Sequence, residues 1–89
     1  MMTIEEEVNQ LIAFLSHKAG FNVDICGLLC IRPIDECSPP ETWEVDWEDI
    51  EDGIVFSNYK AFNSLTEAAQ FFVEKRHKME LGMDFEEEL

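Results

Sequence analysis

The sequence predicts a small α+β domain in two layers, with the order α-β-β-β-α and a three-stranded antiparallel sheet carrying both helices on one face. Three observations predict it. Apolar residues recur at three- and four-residue steps near both ends, and they alternate with polar residues through the middle. The dipeptide Asp52-Gly53 then marks a tight turn between two of the alternating segments. Helices at the two ends of a meander have one economical packing, both on the same side of the sheet.

The first element opens on a capping-box signature, Thr3 with Glu6, followed by Ile4, Val8, Leu11, Ile12, Leu15 and Ala19 at helical spacing. This predicts a helix over about residues 3–19, closed at Gly20. Glu5, Glu6 and Glu7 sit near the positive end of its dipole. The period then changes to two: Phe21, Val23 and Ile25 alternate with Asn22, Asp24 and Cys26 before the apolar run Leu28-Leu29-Cys30-Ile31. One strand over 21–32 follows, with Gly27 read as a bulge. Pro33 and Pro39-Pro40 bracket a loop.

The second strand, 42–48, alternates most cleanly. Trp43, Val45 and Trp47 fall on one face, with Thr42, Glu44, Asp46 and Glu48 on the other. Asp52-Gly53 joins it to a third strand over 54–60. Ser64 with Glu67 repeats the capping box, and Leu65, Ala69, Phe72, Arg76 and Met79 predict a helix over 65–81, closed by Gly82, with 83–89 as an acidic tail. Phe14, Phe71 and Val73 lie off the main stripes and imply either wider apolar faces or a partner contact.

A chain of 89 residues builds one core, so residues 1–89 are read as a single domain. It carries 20 Asp and Glu against 6 Lys and Arg, a net charge of −14. Such a field repels nucleic acid and anionic lipid and attracts cationic protein surfaces. The hydrophobic fraction of 46% separates the chain from acidic disordered segments. No apolar run approaches the roughly 20 residues of a membrane span, and the acidic start is unlike a signal peptide. The expected location is cytoplasmic. Cys26, Cys30 and Cys37 form no Cys-x-x-Cys pair and are read as reduced thiols.

Catalytic signatures are missing from the pattern: there is no nucleophile with a base and no glycine-rich phosphate loop, so the chain is expected not to be an enzyme and to need no cofactor. His17 and His77 lie near helix C-termini, where the dipole favours positive charge. The segment Asp46 to Gly53 is rich in carboxylates but does not place them in the register of a calcium loop, and no metal site is expected.

The densest feature is an acidic hairpin, in which Glu41, Glu44, Asp46, Glu48, Asp49, Glu51 and Asp52 crowd one strand and its turn. Carboxylates on alternate strand residues stand about 6.6 Å apart, of the same order as successive phosphates. The plain structural role of such charge is to protect a strand from edge-to-edge aggregation. With few basic residues nearby in sequence, the hairpin is expected to be largely uncompensated, a cost that binding a basic groove recovers. Trp47, Tyr59 and Phe71 are secondary contact candidates.

The element order resembles that of the double-stranded-RNA-binding domain, but Asn63-Ser64-Leu65-Thr66-Glu67 lacks the basic residues that family uses, so its activity is not implied. In size, charge and the acidic segment from Trp43 to Asp52, the chain resembles the small acidic inhibitors of phages and mobile elements, the anti-CRISPR and anti-restriction proteins that mimic nucleic acid. That resemblance implies stoichiometric occlusion of a basic, nucleic-acid-binding groove in a partner such as a CRISPR or restriction nuclease. The alternative class is an immunity protein or chaperone that caps a toxin or effector through a hydrophobic-centred interface, where Trp47, Phe56, Tyr59 or Phe71 would dominate. Either way the partner is a protein, with no direct nucleic-acid or membrane contact, and the chain is a monomer or homodimer.

Overall fold

Six elements follow one another: α1 (Ile4–His17), β1 (Val23–Ile25), β2 (Leu29–Pro33), β3 (Trp43–Glu51), β4 (Ile54–Phe62) and α2 (Leu65–Lys78). They are seen in a computed structural model that describes residues 2–17, 22–37 and 39–82. The broad α+β class is as expected, but the antiparallel sheet has four strands in the order β1-β2-β3-β4, not three. The segment read as one strand over 21–32 folds back on itself. Cys26 at φ 55° and Gly27 at φ 72° occupy the two centres of a tight turn, closed by the Leu28 amide donating to the Ile25 carbonyl at 2.9 Å. Gly27 is therefore a turn residue and not a bulge. The expected closure at Gly20 and the acidic tail 83–89 lie outside the described residues.

Both capping boxes form. Thr3 Oγ1 accepts from the Glu6 amide at 3.1 Å and Glu6 Oε1 accepts from the Thr3 amide at 3.0 Å; the backbone bond holds the Glu6 carboxyl below its ordinary range. Ser64 Oγ accepts from the Glu67 amide at 3.3 Å and starts α2. That helix ends at Lys78, short of the expected residue 81, and the left-handed residue that stops it is Glu80 at φ 56°, not Gly82. The Leu81 amide donates back to the Arg76 carbonyl at 3.1 Å, and Arg76 Nη1 donates to the Leu81 carbonyl at 2.7 Å, fixing the turn.

The core is one cluster: Val8, Leu11 and Leu15 of α1, Ala68, Ala69, Phe72 and Val73 of α2, and Val23, Ile25, Leu29, Ile31, Trp43 and Val45 from one face of the sheet. Burial of this set is the main driving force for the fold. Val73, off the expected stripe, is fully buried, while Phe14 and Phe71 pack at the cluster's margin. The helices are tied by Glu7, whose carboxylate receives Arg76 Nη2 and lies 3.1 Å from His77 Nε2. The Glu7 side chain thus serves helix pairing as well as the helix dipole. No described helix is long and apolar enough to cross a membrane.

Candidate functional site

Register sorts the hairpin side chains between the two faces of the sheet. Strands β3 and β4 run longer than expected, nine residues each, and pair without interruption from Trp43↔Phe62 to Glu51↔Ile54. Their turn is the predicted one, with Asp52 at φ 51° and Gly53 at φ 78°. Directly paired residues share a face. The helix side carries Trp43, Val45, Trp47, Asp49 and Glu51 with their β4 partners Phe62, Lys60, Asn58, Phe56 and Ile54. The other side, on which no described helix packs, carries Glu44, Asp46, Glu48 and Ile50 with Ala61, Tyr59, Ser57 and Val55.

Strands β1 and β2 extend that open face. Arg32 pairs with Glu44, Cys30 with Asp46, and Asp24 with Cys30. The result is a shallow depression of about 540 Å³ across the sheet, with Asp24, Arg32, Glu44, Asp46, Glu48 and Tyr59 in its lining. Tyr59 is 72% exposed at its edge.

Arg32 compensates part of the acidic hairpin. Its Nη2 lies 2.6 Å from Glu44 Oε2 and its Nε lies 3.3 Å from Asp46 Oδ2. Two carboxylates therefore converge on one guanidinium, where the period-two spacing had suggested an open row. Asp46 is held above the ordinary carboxylate range, first by burial and then by its hydrogen bond to the Glu44 carboxyl and that neighbour's charge, with Arg32 pulling the other way. The hydrogen bond to Glu44 raises Arg32. Burial pushes the Cys30 thiol up, opposed by Asn22 and aided by Asp24 and Asp46, so it is a poor nucleophile.

The remaining predicted residues scatter. Asp49 and Glu51 lie on the helix side, Asp52 is in the turn, and Glu41 belongs to the β2–β3 loop. That loop is organised by Asp35, which accepts from the Cys37, Glu41 and Thr42 amides at 3.0, 3.0 and 2.6 Å. Burial opposes the Asp35 charge, yet the three amides outweigh it and lower its pKa. Trp47 and Phe71 pack on the helix side with ring centroids 5.3 Å apart and planes tilted by 51°, on the opposite face from Tyr59. Among the described residues no three His, Cys, Asp or Glu side chains are grouped as a metal site requires.

Two parts of this surface were not expected. Asp24 and Arg32 reach the open face only because the chain reverses at Cys26-Gly27, a turn dipeptide that was the available signal. The other is apolar: β2 pairs with β3 only as far as Trp47, so the distal pairs overhang, and Ile50, Ile54, Val55 and Phe56 are exposed there. Comparison with known protein families, curated proteins and solved structures finds no match to this chain.

Proposed function

We propose that this chain is a protein-binding inhibitor that presents the open face of its sheet to a basic, nucleic-acid-binding groove of a partner protein. The observation that carries the proposal is the arrangement of that face: Asp24, Glu44, Asp46 and Glu48 share one concave surface with a single guanidinium, Arg32. The excess of carboxylates there matches cationic grooves in sign, and a field of that kind speeds encounter and selects partners. Arg32 holds Glu44 and Asp46 in place before binding, which lowers the ordering cost of association. A CRISPR or restriction nuclease is the partner type that this reading favours, and the chain itself carries out no reaction.

The test is capture of partners from host lysate at low and high salt, followed by competition with duplex DNA. Binding should weaken steeply with salt and yield to DNA, and the triple variant Glu44→Lys, Asp46→Lys, Glu48→Lys should lose it while keeping its circular dichroism spectrum. Glu48→Lys alone, which leaves the Arg32 contacts intact, should weaken it in the same direction. Salt-tolerant binding that DNA does not displace would sink the proposal.

One observation favours the second class, a capped toxin or effector. The exposed apolar tip, with Ile50 63% exposed, suits a hydrophobic-centred interface. In that case Ile50→Ser with Val55→Ser abolishes capture and the lysine variants do not.

A further inference from the structure

We propose that the outer edge of β4 pairs with the same edge of a second copy, joining two sheets into one of eight strands. The two edges of the sheet differ. At one end β1 has three residues and carries Asp24; at the other β4 has nine, with no proline, no break in register and no carboxylate. Edge strands are ordinarily blunted by shortness, charge, bulges or proline. Among its nine residues β4 has only Lys60 as a charge.

The backbone defines which groups are free. In a two-residue hairpin the residues flanking the turn exchange both ladder bonds, and bonded and unbonded pairs then alternate. From Glu51↔Ile54 outward, Val55, Ser57, Tyr59 and Ala61 therefore aim their N–H and C=O groups away from β3. An antiparallel second copy centred on Asn58 pairs Ser57 with Tyr59 and Val55 with Ala61, twice each by symmetry, and satisfies these groups.

Local charge complementarity on the helix side fits a second copy as the occupant and acts against the mutual repulsion of two chains of net charge −14. On the helix side Lys60 Nζ lies 5.5 Å and 5.4 Å from the Phe62 and Phe71 ring centroids, and Lys75 Nζ lies 4.4 Å from that of Trp47. Neither lysine has an ion pair with a described residue, in a chain of net charge −14. The pairing centred on Asn58 sets Phe56 beside Lys60 of the second copy and Ile54 beside its Phe62. Asp49 and Glu51, which stand behind Phe56 and Ile54 on the same face, then face that copy's aromatic and lysine cluster across two strand spacings, about 10 Å. A lysine side chain spans most of that gap. The acidic open faces stay uncovered and adjoin across the two-fold axis, so the pairing is independent of the partner binding proposed above.

The experiment is light scattering and amide exchange on the purified chain alone, from micromolar to submillimolar concentration. The expected mass approaches twice 10.3 kDa, with the Ser57 and Tyr59 amides slowing as the dimer forms. Ser57→Pro removes an outward N–H without touching the β3 ladder and should weaken the dimer by about tenfold or more. Lys60→Glu should weaken it as well, and adding Asp49→Lys should restore it. A chain that stays monomeric throughout, or a dimer indifferent to Ser57→Pro in a variant of native circular dichroism, overturns the proposal.

Discussion

Trp43 and Val45, on the helix side of the first half of the β3–β4 hairpin, are buried, whereas Ile54, on the same side of its second half, is 58% exposed, although one unbroken register joins them. The first half of β3 alternates apolar and polar residues; in the second, Asp49 and Glu51 take the helix-side positions, opposite Phe56 and Ile54 of β4. What separates them is cover: the first half has β2 on one side and α2 above it, and its apolar residues join the core cluster. Beyond Trp47 neither is available, and the same kind of side chain remains in water. Alternation specifies which residues share a face; only the neighbouring elements decide whether that face is interior.

Truncation tests the contrast most directly. Phe72, fully buried between α2 and the sheet, should cost about 3–5 kcal/mol as Phe72→Ala. Phe56→Ala in the overhang should cost about 1 kcal/mol or less. Equal losses by urea denaturation would mean that the tip is packed in solution. Next in size is Glu7→Ala, which strands the largely buried Arg76 guanidinium and should cost about 3 kcal/mol. Arg76→Met in the same background should recover part of that loss, since no unpaired charge is then left.

How much of this was legible follows from the same physics. Both capping boxes and the Asp52-Gly53 turn were readable because each depends on a few adjacent residues. The face shared by Glu44, Asp46 and Glu48 was readable because strand parity is strict. The division of 21–32 into two strands was not, because Cys26 is an unusual occupant of a left-handed turn position and masked the signal of Gly27. Once that turn was missed, Arg32 had no predicted neighbour, and its pairing with Glu44 and Asp46 was out of reach. Ion pairs between strands depend on topology, which a local pattern does not encode.

The two tight turns can be compared in turn. Asp52 and Cys26 occupy the same left-handed position, at φ 51° and 55°, each followed by glycine. Aspartate and asparagine tolerate that conformation better than cysteine does. Cys26→Asn should therefore stabilise the chain by roughly 0.5–1 kcal/mol, and Asp52→Asn should change it less. A destabilising Cys26→Asn would assign the exposed Cys26 thiol a contact that outweighs the backbone preference.

The smallest effect lies on the open face and is read from its pH dependence. Burial and the Glu44 carboxyl raise Asp46 above its ordinary value of 3.8, so the folded chain holds that proton more tightly than the unfolded one. Ionised Asp46 is thus a cost at neutral pH, and the cost is relieved as pH falls through its folded-state pKa toward 3.8. Asp46→Asn removes the ionisation while Arg32 keeps Glu44 at 2.6 Å. The stability of this variant relative to the parent should be greatest at neutral pH and should shrink as pH falls through that window. Glu6 and Asp35 titrate with the opposite sign, because their lowered folded-state pKa values give stability that is lost on acidification. Both are unchanged in the variant and cancel in the difference, so a flat difference across the window would show that Asp46 is not strained by its neighbours.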